Sequence, residues 1–562
     1  MPLLRRFFLA LTVAAMLAAC APDDDGKDGD GDGTAPAAAA AGTPASAIEG
    51  SVAAHYFGRQ WPKNFIAGFR REHVAEDFAR LRADGFDSVI LLVSWGDFQP
   101  GILPCCKWDE RAFERLHFLL DRADEAGLKV MLRLGYAWFF HPDAGDVGER
   151  QHRLMNDPEA RAAYHRFLVR LSAELADEKH VALAFMSWED QWLRKVEESA
   201  RPDYLEYLAT LPPDAARSTG LPDPVADAAL FHGFWDWLVI EKLHRPAIDL
   251  FPELSYEARV DRDPRYEPGP DGKPKVAEWI AHEGMTRLPP GHHLTIYWAP
   301  FWGALNQGEQ LSAERSLQLF DTLLRETGRD GQRRLFVDQF NFVDNTPGHE
   351  YNAVLRPEEV ASFLHQSVCV MKARGVAGYA LWTSQDYAEN PLHNPAFGYG
   401  LEGWQLDRRD GSAQAALQAL ASGDFAIALA SGDRLSQLVP ARHGRLMTAN
   451  DDIADQVCLE ADATAPATLR LAAGNGETAS LAFDGRGRQL ACTAIVPVPV
   501  AGDLAFSMTV ESGSLLLRDV QLFDHVQYGG VYGRLGEPGP LRDAVRRMNR
   551  DFRAVPLPAR CG

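Results

Sequence analysis

Residues 87–93 read DSVILLV, an amphipathic segment follows over residues 111–126, and residues 129–134 then read KVMLRL. A short apolar run without polar alternation is typical of a strand that is buried on both faces of a parallel sheet, with helices as the crossover connections. The same alternation of apolar runs and helical segments extends from about residue 52 to residue 382. This repeated unit predicts the fold.

We expect eight such strands. They are Phe65–Phe69, Asp87–Val93, Lys129–Leu134, Val181–Met186, Leu254–Val260, Leu294–Trp298, Leu335–Val337 and Val376–Trp382. Eight strand–helix units within residues 49–392 predict a (β/α)8 barrel with insertions. A doubly wound open sheet is the alternative, but that fold usually carries a glycine-rich phosphate loop after its first strand, and none stands there.

The helical periodicity of the sequence ends after residue 392, and β-type alternation replaces it. Runs with a period of two, such as residues 467–471 and 504–510, predict a β-sandwich over residues 393–530. Its opening, Asn394–Phe397 and then Gly400–Trp404, resembles that of jelly-roll carbohydrate-binding modules. Residues 531–562 contain a helical pattern over Pro540–Phe552, which we expect to pack back on the barrel as its eighth helix.

The first residues predict an export signal. Residues 1–20 have a basic start, a short apolar core and the ending Leu17-Ala18-Ala19-Cys20, which resembles a bacterial lipobox. We therefore expect lipidation at Cys20, with a disordered acidic tether over residues 21–48. This predicts a protein of the cell envelope, held at the outer membrane through the lipid on Cys20 and facing the periplasm or the cell surface.

Composition restricts the partners. The 562 residues are 46% apolar and 24% charged, which is typical of a globular protein, and the net charge is −21. A nucleic-acid partner is not expected, because phosphate binding needs a basic surface. Six cysteines follow Cys20, an even number that predicts disulfides in an exported chain. Cys458 and Cys492 lie in one β-rich region and are candidates to pair, whereas the adjacent Cys105 and Cys106 are not expected to pair with each other.

In a barrel of this kind the active site lies at the C-terminal ends of the strands. Those positions are rich in carboxylates, amides and aromatic rings, which bind sugar hydroxyls and stack on sugar rings. The sequence has no histidine cluster that would predict a metal site and no Gly-x-Ser-x-Gly motif that would predict an esterase. We expect no cofactor. The candidate site residues are Trp95, Arg133, Trp188, Glu189, Asp190, Glu257, Tyr297, Trp298, Asp338, Gln339, Asn341, Trp382 and Asp386.

With these residues, the chain over about residues 56–390 resembles the clan A (β/α)8 retaining glycoside hydrolases, which include cellulase-like, β-galactosidase-like and β-xylosidase-like families. Residues 93–100 resemble the ending of that clan's second strand. Glu189 stands at its acid/base position, Tyr297 at its strand-six tyrosine and Trp382 at its subsite tryptophan. The resemblance implies two-carboxylate cleavage of β-glycosidic bonds, with a polysaccharide or oligosaccharide as the substrate.

The chain departs from the clan at two positions. Trp188 stands where an asparagine usually precedes the acid/base glutamate, and Gln339 stands where the strand-seven nucleophile is expected. An amide cannot form a glycosyl ester, which leaves three alternatives. Asp338 is the nucleophile through a small register change, or Glu257 or Asp386 serves from another strand, or the protein binds glycans without cleaving them. A purely structural envelope lipoprotein is a further alternative, and it predicts a plugged barrel mouth.

Overall fold

A computed structural model of the chain describes its folded part, within the compact unit Ser46–Gly562. The signal segment, Cys20 and nearly all of the expected tether lie outside the described residues. The described residues are 48–60, 65–101, 106–135, 149–186, 195–213, 220–224, 226–255, 257–258, 262–268, 274–281, 294–299, 310–327, 335–342, 353–387, 390, 392–409, 411–439, 456–473, 478–494, 503–523, 531–533, 535–555 and 559–561.

Eight parallel strands form the first layer. They are β1 (Val52–Tyr56), β2 (Ser88–Leu92), β3 (Lys129–Arg133), β4 (Val181–Phe185), β5 (Leu254–Ser255 and Glu257–Ala258), β6 (Leu294–Trp298), β7 (Leu335–Phe340) and β8 (Gly378–Leu381). Each strand pairs with the next along the chain, and β8 pairs with β1. The first half of β5 pairs with β4 and its second half with β6, so the sheet closes into the predicted (β/α)8 barrel.

The first predicted strand is wrong. Residues Phe65–Gly68 form a buried helical turn, and the first strand is Val52–Tyr56. A short apolar run fits a buried helix as well as a buried strand, since periodicity cannot separate the two. The real strand, VAAHY, was missed because its two alanines and its histidine have little β-propensity. The antiparallel hairpin of Arg262–Pro268 with Pro274–Ala281, inserted after β5, was not predicted either.

Helices cover the outside of the barrel. In chain order they are α1 (Phe65–Gly68), α2 (Arg71–Ala83), α3 (Trp95–Phe98), α4 (Glu110–Glu125), α5 (Glu149–Asn156), α6 (Pro158–Glu174), α7 (Arg201–Thr210), α8 (Ala228–Leu238), α9 (Ala313–Thr327), α10 (Val360–Ala373) and α11 (Arg542–Arg553). Asp109 and Asp157 cap α4 and α6 by accepting from backbone N–H groups of the first turn. No helix among the described residues is long and apolar enough to cross a membrane.

The side chains inside the barrel change from apolar to polar along the strands. Alternate residues point inward, and those in the lower part form an apolar plug that includes Ala53, Ile90, Met131, Leu183 and Phe336. Nearer the C-terminal ends of the strands the buried residues become polar and charged; they are His55, Arg133, Ser255, Glu257, Thr295 and Asp338. The polar layer lies at the end of the barrel where function is expected.

A β-sandwich follows the barrel. One antiparallel sheet contains Gln405–Asp407, Arg434–Val439, Ala467–Ala473, Thr478–Phe483 and Leu504–Ser512, and the other Leu417–Ala419, Phe425–Ala430, Gln456–Ala463, Gly487–Ala494 and Ser514–Phe523. Both sheets contribute to a single hydrophobic core, which defines a face-to-face packing. Phe397, Trp404, Phe483 and Phe506 are buried in this core and are not exposed on a face.

The disulfides join distant parts of the chain. Cys458 and Cys492 are bonded, as expected, and a second disulfide links Cys369 on α10 to Cys561. Cys106 is also disulfide-bonded, and its partner lies outside the described residues. The Cys369–Cys561 disulfide therefore ties the end of the described chain to the helix layer of the barrel, whereas Cys458–Cys492 joins two neighbouring strands of the sandwich.

Helix α11 follows the sandwich in sequence and packs on the barrel. The Phe552 ring meets the Tyr379 ring of β8 edge-on, with the centroids 5.0 Å apart. Asn549 Oδ1 accepts a hydrogen bond from the Tyr379 hydroxyl at 2.5 Å, and Asn549 Nδ2 donates to the Asp84 carbonyl at 2.9 Å. The helix thus bridges β8 and the segment that leads into β2.

Replacing Asn549 with Ala should destabilise the protein by about 2 kcal/mol, because it leaves a buried hydroxyl and a buried carbonyl without partners. Arg547→Ala, at an exposed position of the same helix, is the matched control, and it should change stability by less than about 0.5 kcal/mol. Urea denaturation followed by circular dichroism measures both. Equal stabilities for the two variants would contradict this role of α11.

Candidate functional site

A bulge in β7 turns two consecutive residues toward the barrel interior. Val337 pairs with Ile296 of β6 and Gln339 pairs with Tyr297, so the register shifts by one residue at Asp338. The pairing with β8 shifts over the same stretch. An extra residue in one strand lets neighbours share a face, which regular alternation forbids. Asp338 and Gln339 are both buried here, at the C-terminal end of β7.

Arg133 is the centre of the polar layer. Its Nη1 lies 2.9 Å from Glu257 Oε2, and its Nη2 lies 2.9 Å from Asp338 Oδ2. The side chain of Arg133 is 1% exposed and both carboxylates are 0% exposed. The guanidinium plane lies 4.6 Å from the centroid of the Phe185 ring, at the top of the apolar plug. One buried cation therefore bridges two buried carboxylates, one from β5 and one from β7.

The two carboxylates are engaged differently. Glu257 Oε2 accepts from Arg133 and also from Gln339 Nε2, at 3.0 Å. Asp338 uses Oδ2 for Arg133, and its Oδ1 is buried without a hydrogen-bond partner in the described part of the chain. A buried carboxylate oxygen without a partner is costly. Asp338 Oδ1 is thus the oxygen of this carboxylate that Arg133 does not engage.

Burial raises the pKa of Asp338 well above that of an ordinary aspartate, and the negative charge of Glu257 raises it further. Arg133 acts in the opposite direction, while a hydrogen bond to Glu257 favours the protonated form of Asp338. The pair can therefore hold a proton at a pH where exposed carboxyl groups are ionised. Such a perturbed group in a barrel mouth is typical of a functional site.

His55 belongs to this cluster, although the sequence analysis did not select it. It stands on β1, and its Nε2 lies 2.6 Å from the main-chain oxygen of Asp338. A carbonyl oxygen can only accept, so Nε2 carries the hydrogen and Nδ1 is an acceptor. Burial lowers the pKa of His55 well below its usual value, and the charge of Arg133 lowers it further. His55 is therefore a neutral side chain that holds the bulge in place.

Trp382 lies beside His55 at the end of β8. The two ring centroids are 4.9 Å apart, and Phe57 approaches the same tryptophan at 5.1 Å. Trp382 retains 8% exposure above the polar layer. The role of Trp382 as an aromatic wall of the site stays a prediction.

The structure places Trp95 and Trp298 in the hydrophobic core, which corrects their expected position on the rim. Trp95 donates to Gln99 Oε1 at 2.5 Å and packs edge-on against Tyr164. Trp298 packs against Phe320 of α9 and is 2% exposed. The Trp298 ring points toward the helix layer, because one step along a strand moves a side chain to the opposite face. Trp95 is the first residue of α3 and packs in the same layer against Tyr164 of α6.

The remaining candidates divide into two groups. Asn341 is buried just after β7 and donates its backbone N–H to the Trp298 carbonyl at 2.9 Å, and Asp386 donates its own to the Tyr532 carbonyl at 2.9 Å. Trp188, Glu189 and Asp190 lie outside the described residues, as does the side chain of Tyr297. The second catalytic carboxylate of the sequence prediction is therefore not part of the described geometry.

Replacing Arg133 with Met should destabilise the protein by about 3–5 kcal/mol at pH 7, because two buried carboxylates lose their cation. The folded-state pKa of Asp338, already raised, would rise further without Arg133, and the folded-state pKa of Glu257 would rise as well. Ionising such a buried carboxyl group lowers the free energy of unfolding. This loss of stability is absent at a pH below the unfolded-state pKa, and it grows as the pH rises. The loss of stability should therefore shrink as the pH is lowered from 7 toward 4.

The triple variant Arg133→Met, Glu257→Gln, Asp338→Asn is the control, because it removes the cation and both anions together. It should recover most of the stability that the single variant loses at pH 7. Denaturant unfolding at several pH values measures both proteins. A single variant with the same loss at pH 4 and pH 7 would contradict the electrostatic role of Arg133.

No protein-family model matches the chain, and no curated protein matches its sequence. Similar solved structures include GH5_18 from Streptomyces cattleya, solved in complex with GlcNAc. That structure is 17% identical with a TM-score of 0.40, over 60% of this chain and 71% of the other.

Two further structures are similar. Exo-beta-1,4-mannosidase Op5Man5 from Opitutaceae bacterium strain TAV5 is 16% identical with a TM-score of 0.39, over 60% of this chain and 52% of that one. Endoglucanase Cel5A from Thermotoga maritima is 14% identical with a TM-score of 0.36, over 59% of this chain and 89% of that one. These values are too low to transfer an activity, so the case for a function rests on the geometry of the site.

Proposed function

We propose that this protein is a glycoside hydrolase that cleaves β-glycosidic bonds of a polysaccharide or oligosaccharide by a retaining, two-carboxylate mechanism. The observation that carries the proposal is the half-engaged carboxylate of Asp338, anchored through Oδ2 to Arg133 with Oδ1 left without a partner in the described residues. It lies at the C-terminal end of a (β/α)8 barrel, where such enzymes place their reacting groups. Trp382, which packs against His55, supplies an aromatic face for a sugar ring.

In the proposed reaction, ionised Asp338 attacks the anomeric carbon through Oδ1 while Glu189 gives a proton to the leaving oxygen. A glycosyl ester forms, and Glu189 then takes a proton from the water that cleaves it. Arg133 stabilises the ionised form of Asp338 and fixes its orientation. Asp338 is fully buried in the structure, so substrate binding must uncover Oδ1.

Among the three alternatives for the nucleophile, the bonding pattern favours Asp338. Glu257 already accepts two hydrogen bonds on one oxygen and serves to hold Arg133 and Gln339. The bulge in β7 supplies the register change that the use of Asp338 requires. Gln339, at the usual nucleophile position, then acts as a donor that positions Glu257.

Trapping the covalent intermediate tests the assignment. The protein is incubated with a panel of dinitrophenyl β-glycosides in which fluorine replaces the 2-hydroxyl, in gluco, manno, galacto and xylo configurations. Because fluorine slows deglycosylation, a retaining enzyme accumulates the ester. We expect mass spectrometry to find one fluoroglycosyl group on the peptide that contains residues 335–340. Asp338→Asn should not be labelled and should lose about a thousandfold or more in kcat/KM.

Asp407→Asn, at an exposed position of the sandwich, is the matched control and should be labelled like the unchanged protein. A label on Glu257 would overturn the choice of nucleophile. A folded protein that binds oligosaccharides but neither turns over nor becomes labelled would overturn hydrolysis in favour of glycan binding.

The pH dependence of kcat/KM tests the role of Glu257. Asp338 must be ionised to attack, and its pKa is raised, so activity should fall on acidification at a pH well above the ordinary aspartate value of about 4. Glu257→Gln removes the charge that raises this pKa. The pH at which activity falls on acidification should therefore move to a lower value in this variant. If the pH at which kcat/KM falls is unchanged or higher in Glu257→Gln, the charge of Glu257 does not raise the pKa of Asp338.

We also infer that Cys20 carries a lipid that holds the protein in the cell envelope. The support is the lipobox-like ending of residues 17–20. Palmitate labelling of the protein expressed in a bacterium should occur, and Cys20→Ser should abolish it.

A further inference from the structure

The two phenylalanines that flank the bulge of β7 make an irregularity in this strand necessary. Phe336 belongs to the apolar plug inside the barrel, whereas Phe340 stacks on Phe363 of α10 with the ring centroids 5.8 Å apart. Strict alternation would place residues that are four apart on the same face of a strand. One extra residue must therefore lie between Phe336 and Phe340, and the register shift places it at Asp338.

The main-chain oxygen of Asp338 is held from the other side of the barrel interior. An extra residue disrupts the ladder of main-chain hydrogen bonds at its position, and here the oxygen accepts from His55 Nε2 at 2.6 Å. Strand β8 lies between β1 and β7 in the sheet, so this bond crosses the interior and is not part of the ladder. A buried carbonyl oxygen that loses a partner is costly. His55 therefore stabilises the peptide that follows the proposed nucleophile.

His55 has a second set of contacts, through its ring. The ring centroid lies 4.9 Å from that of Trp382 and 5.9 Å from that of Phe57. The main-chain oxygen of His55 accepts from Ser384 Oγ at 3.4 Å, and the residue is 1% exposed. One side chain thus contacts both the main chain of Asp338 and the tryptophan at the end of β8.

The donor at this position is neutral. Burial lowers the pKa of His55, and the charge of Arg133 lowers this pKa further. Glutamine is therefore the conservative replacement, because it is neutral and can place an N–H donor at a similar distance from the main chain. Phenylalanine is the complementary replacement, because it keeps a ring and lacks the donor.

We propose that His55 is a positioning residue with two separable contacts, an N–H that fixes the peptide of Asp338 and a ring that supports Trp382. This inference rests on the proposed function, in which Asp338 is the nucleophile and Trp382 contacts a sugar ring. The N–H should govern kcat, because the direction of the attacking carboxylate follows from the bulge. The ring should govern KM, because a sugar-binding wall acts in the bound substrate and in the transition state alike.

Steady-state kinetics of His55→Phe and His55→Gln with dinitrophenyl β-glycosides separate the two contacts. His55→Phe should lower kcat by about ten- to a hundredfold with little change in KM. His55→Gln should keep kcat within about threefold and raise KM by about threefold or more, because it loses the packing against Trp382. An unchanged kcat in folded His55→Phe would overturn the inference, and so would an equal loss of kcat in both variants.

Hydrogen exchange of the full chain, followed by mass spectrometry, tests the same contact without a substrate. The peptide of residues 335–342 should exchange about tenfold faster in His55→Phe than in the unchanged protein, and His55→Gln should restore most of the protection. The control is His244→Phe, since His244 is also buried and its Nε2 lies 3.1 Å from a main-chain oxygen, that of Leu254. It should leave the exchange of residues 335–342 unchanged.

The two measurements distinguish this inference from the proposed function. Unchanged exchange in folded His55→Phe would overturn the positioning role, whatever the activity. Faster exchange in that variant, with no turnover by the unchanged protein, would support the anchoring of the bulge and overturn hydrolysis. If His55→Phe does not fold, His55→Gln decides, because a loss of protection in residues 335–342 despite its N–H donor would overturn the role of the hydrogen bond.

Discussion

One arginine between two carboxylates governs the interior of this barrel. Moving three charges out of water costs several kcal/mol for each ion, and only good geometry compensates the cost. The geometry here depends on three separate elements of the fold. Arg133 comes from β3, Glu257 from the second half of the interrupted β5, and Asp338 from the bulge of β7. The apolar plug below them and His55 beside them then fix a single arrangement.

The barrel could be predicted because its strands are apolar on both faces and its helices have the right period. The site could be predicted only in part. Arg133, Glu257, Asp338, Gln339 and Trp382 were selected for standing at strand ends. The structure joins the first four by hydrogen bonds, and Trp382 packs beside them against His55. Trp298 also ends a strand but faces the helices, because a shift of one residue inverts the direction of a side chain. Trp95 begins α3, so a strand pattern could not predict its direction.

The bulge of β7 explains why the sequence could not decide between Asp338 and Gln339 as the residue that faces the interior at the end of this strand. A strand pattern assigns alternate residues to opposite faces, so it cannot place Asp338 and Gln339 on the same side. His55 was missed for a related reason, since its strand has too few β-branched residues to be recognised. In both cases the deciding information is the pairing between strands that are distant in the chain, which a local pattern does not contain.

Helix α11 has a consequence for how the chain is made. It seals β8 and the approach to β2, yet the whole sandwich lies between Leu381 and Arg542 in the chain. A ribosome must therefore deliver every sandwich strand before the barrel receives the helix that covers it. Until then the outer face of β8 stays open to water or to a chaperone. The barrel thus matures late in synthesis, although most of its residues are made first.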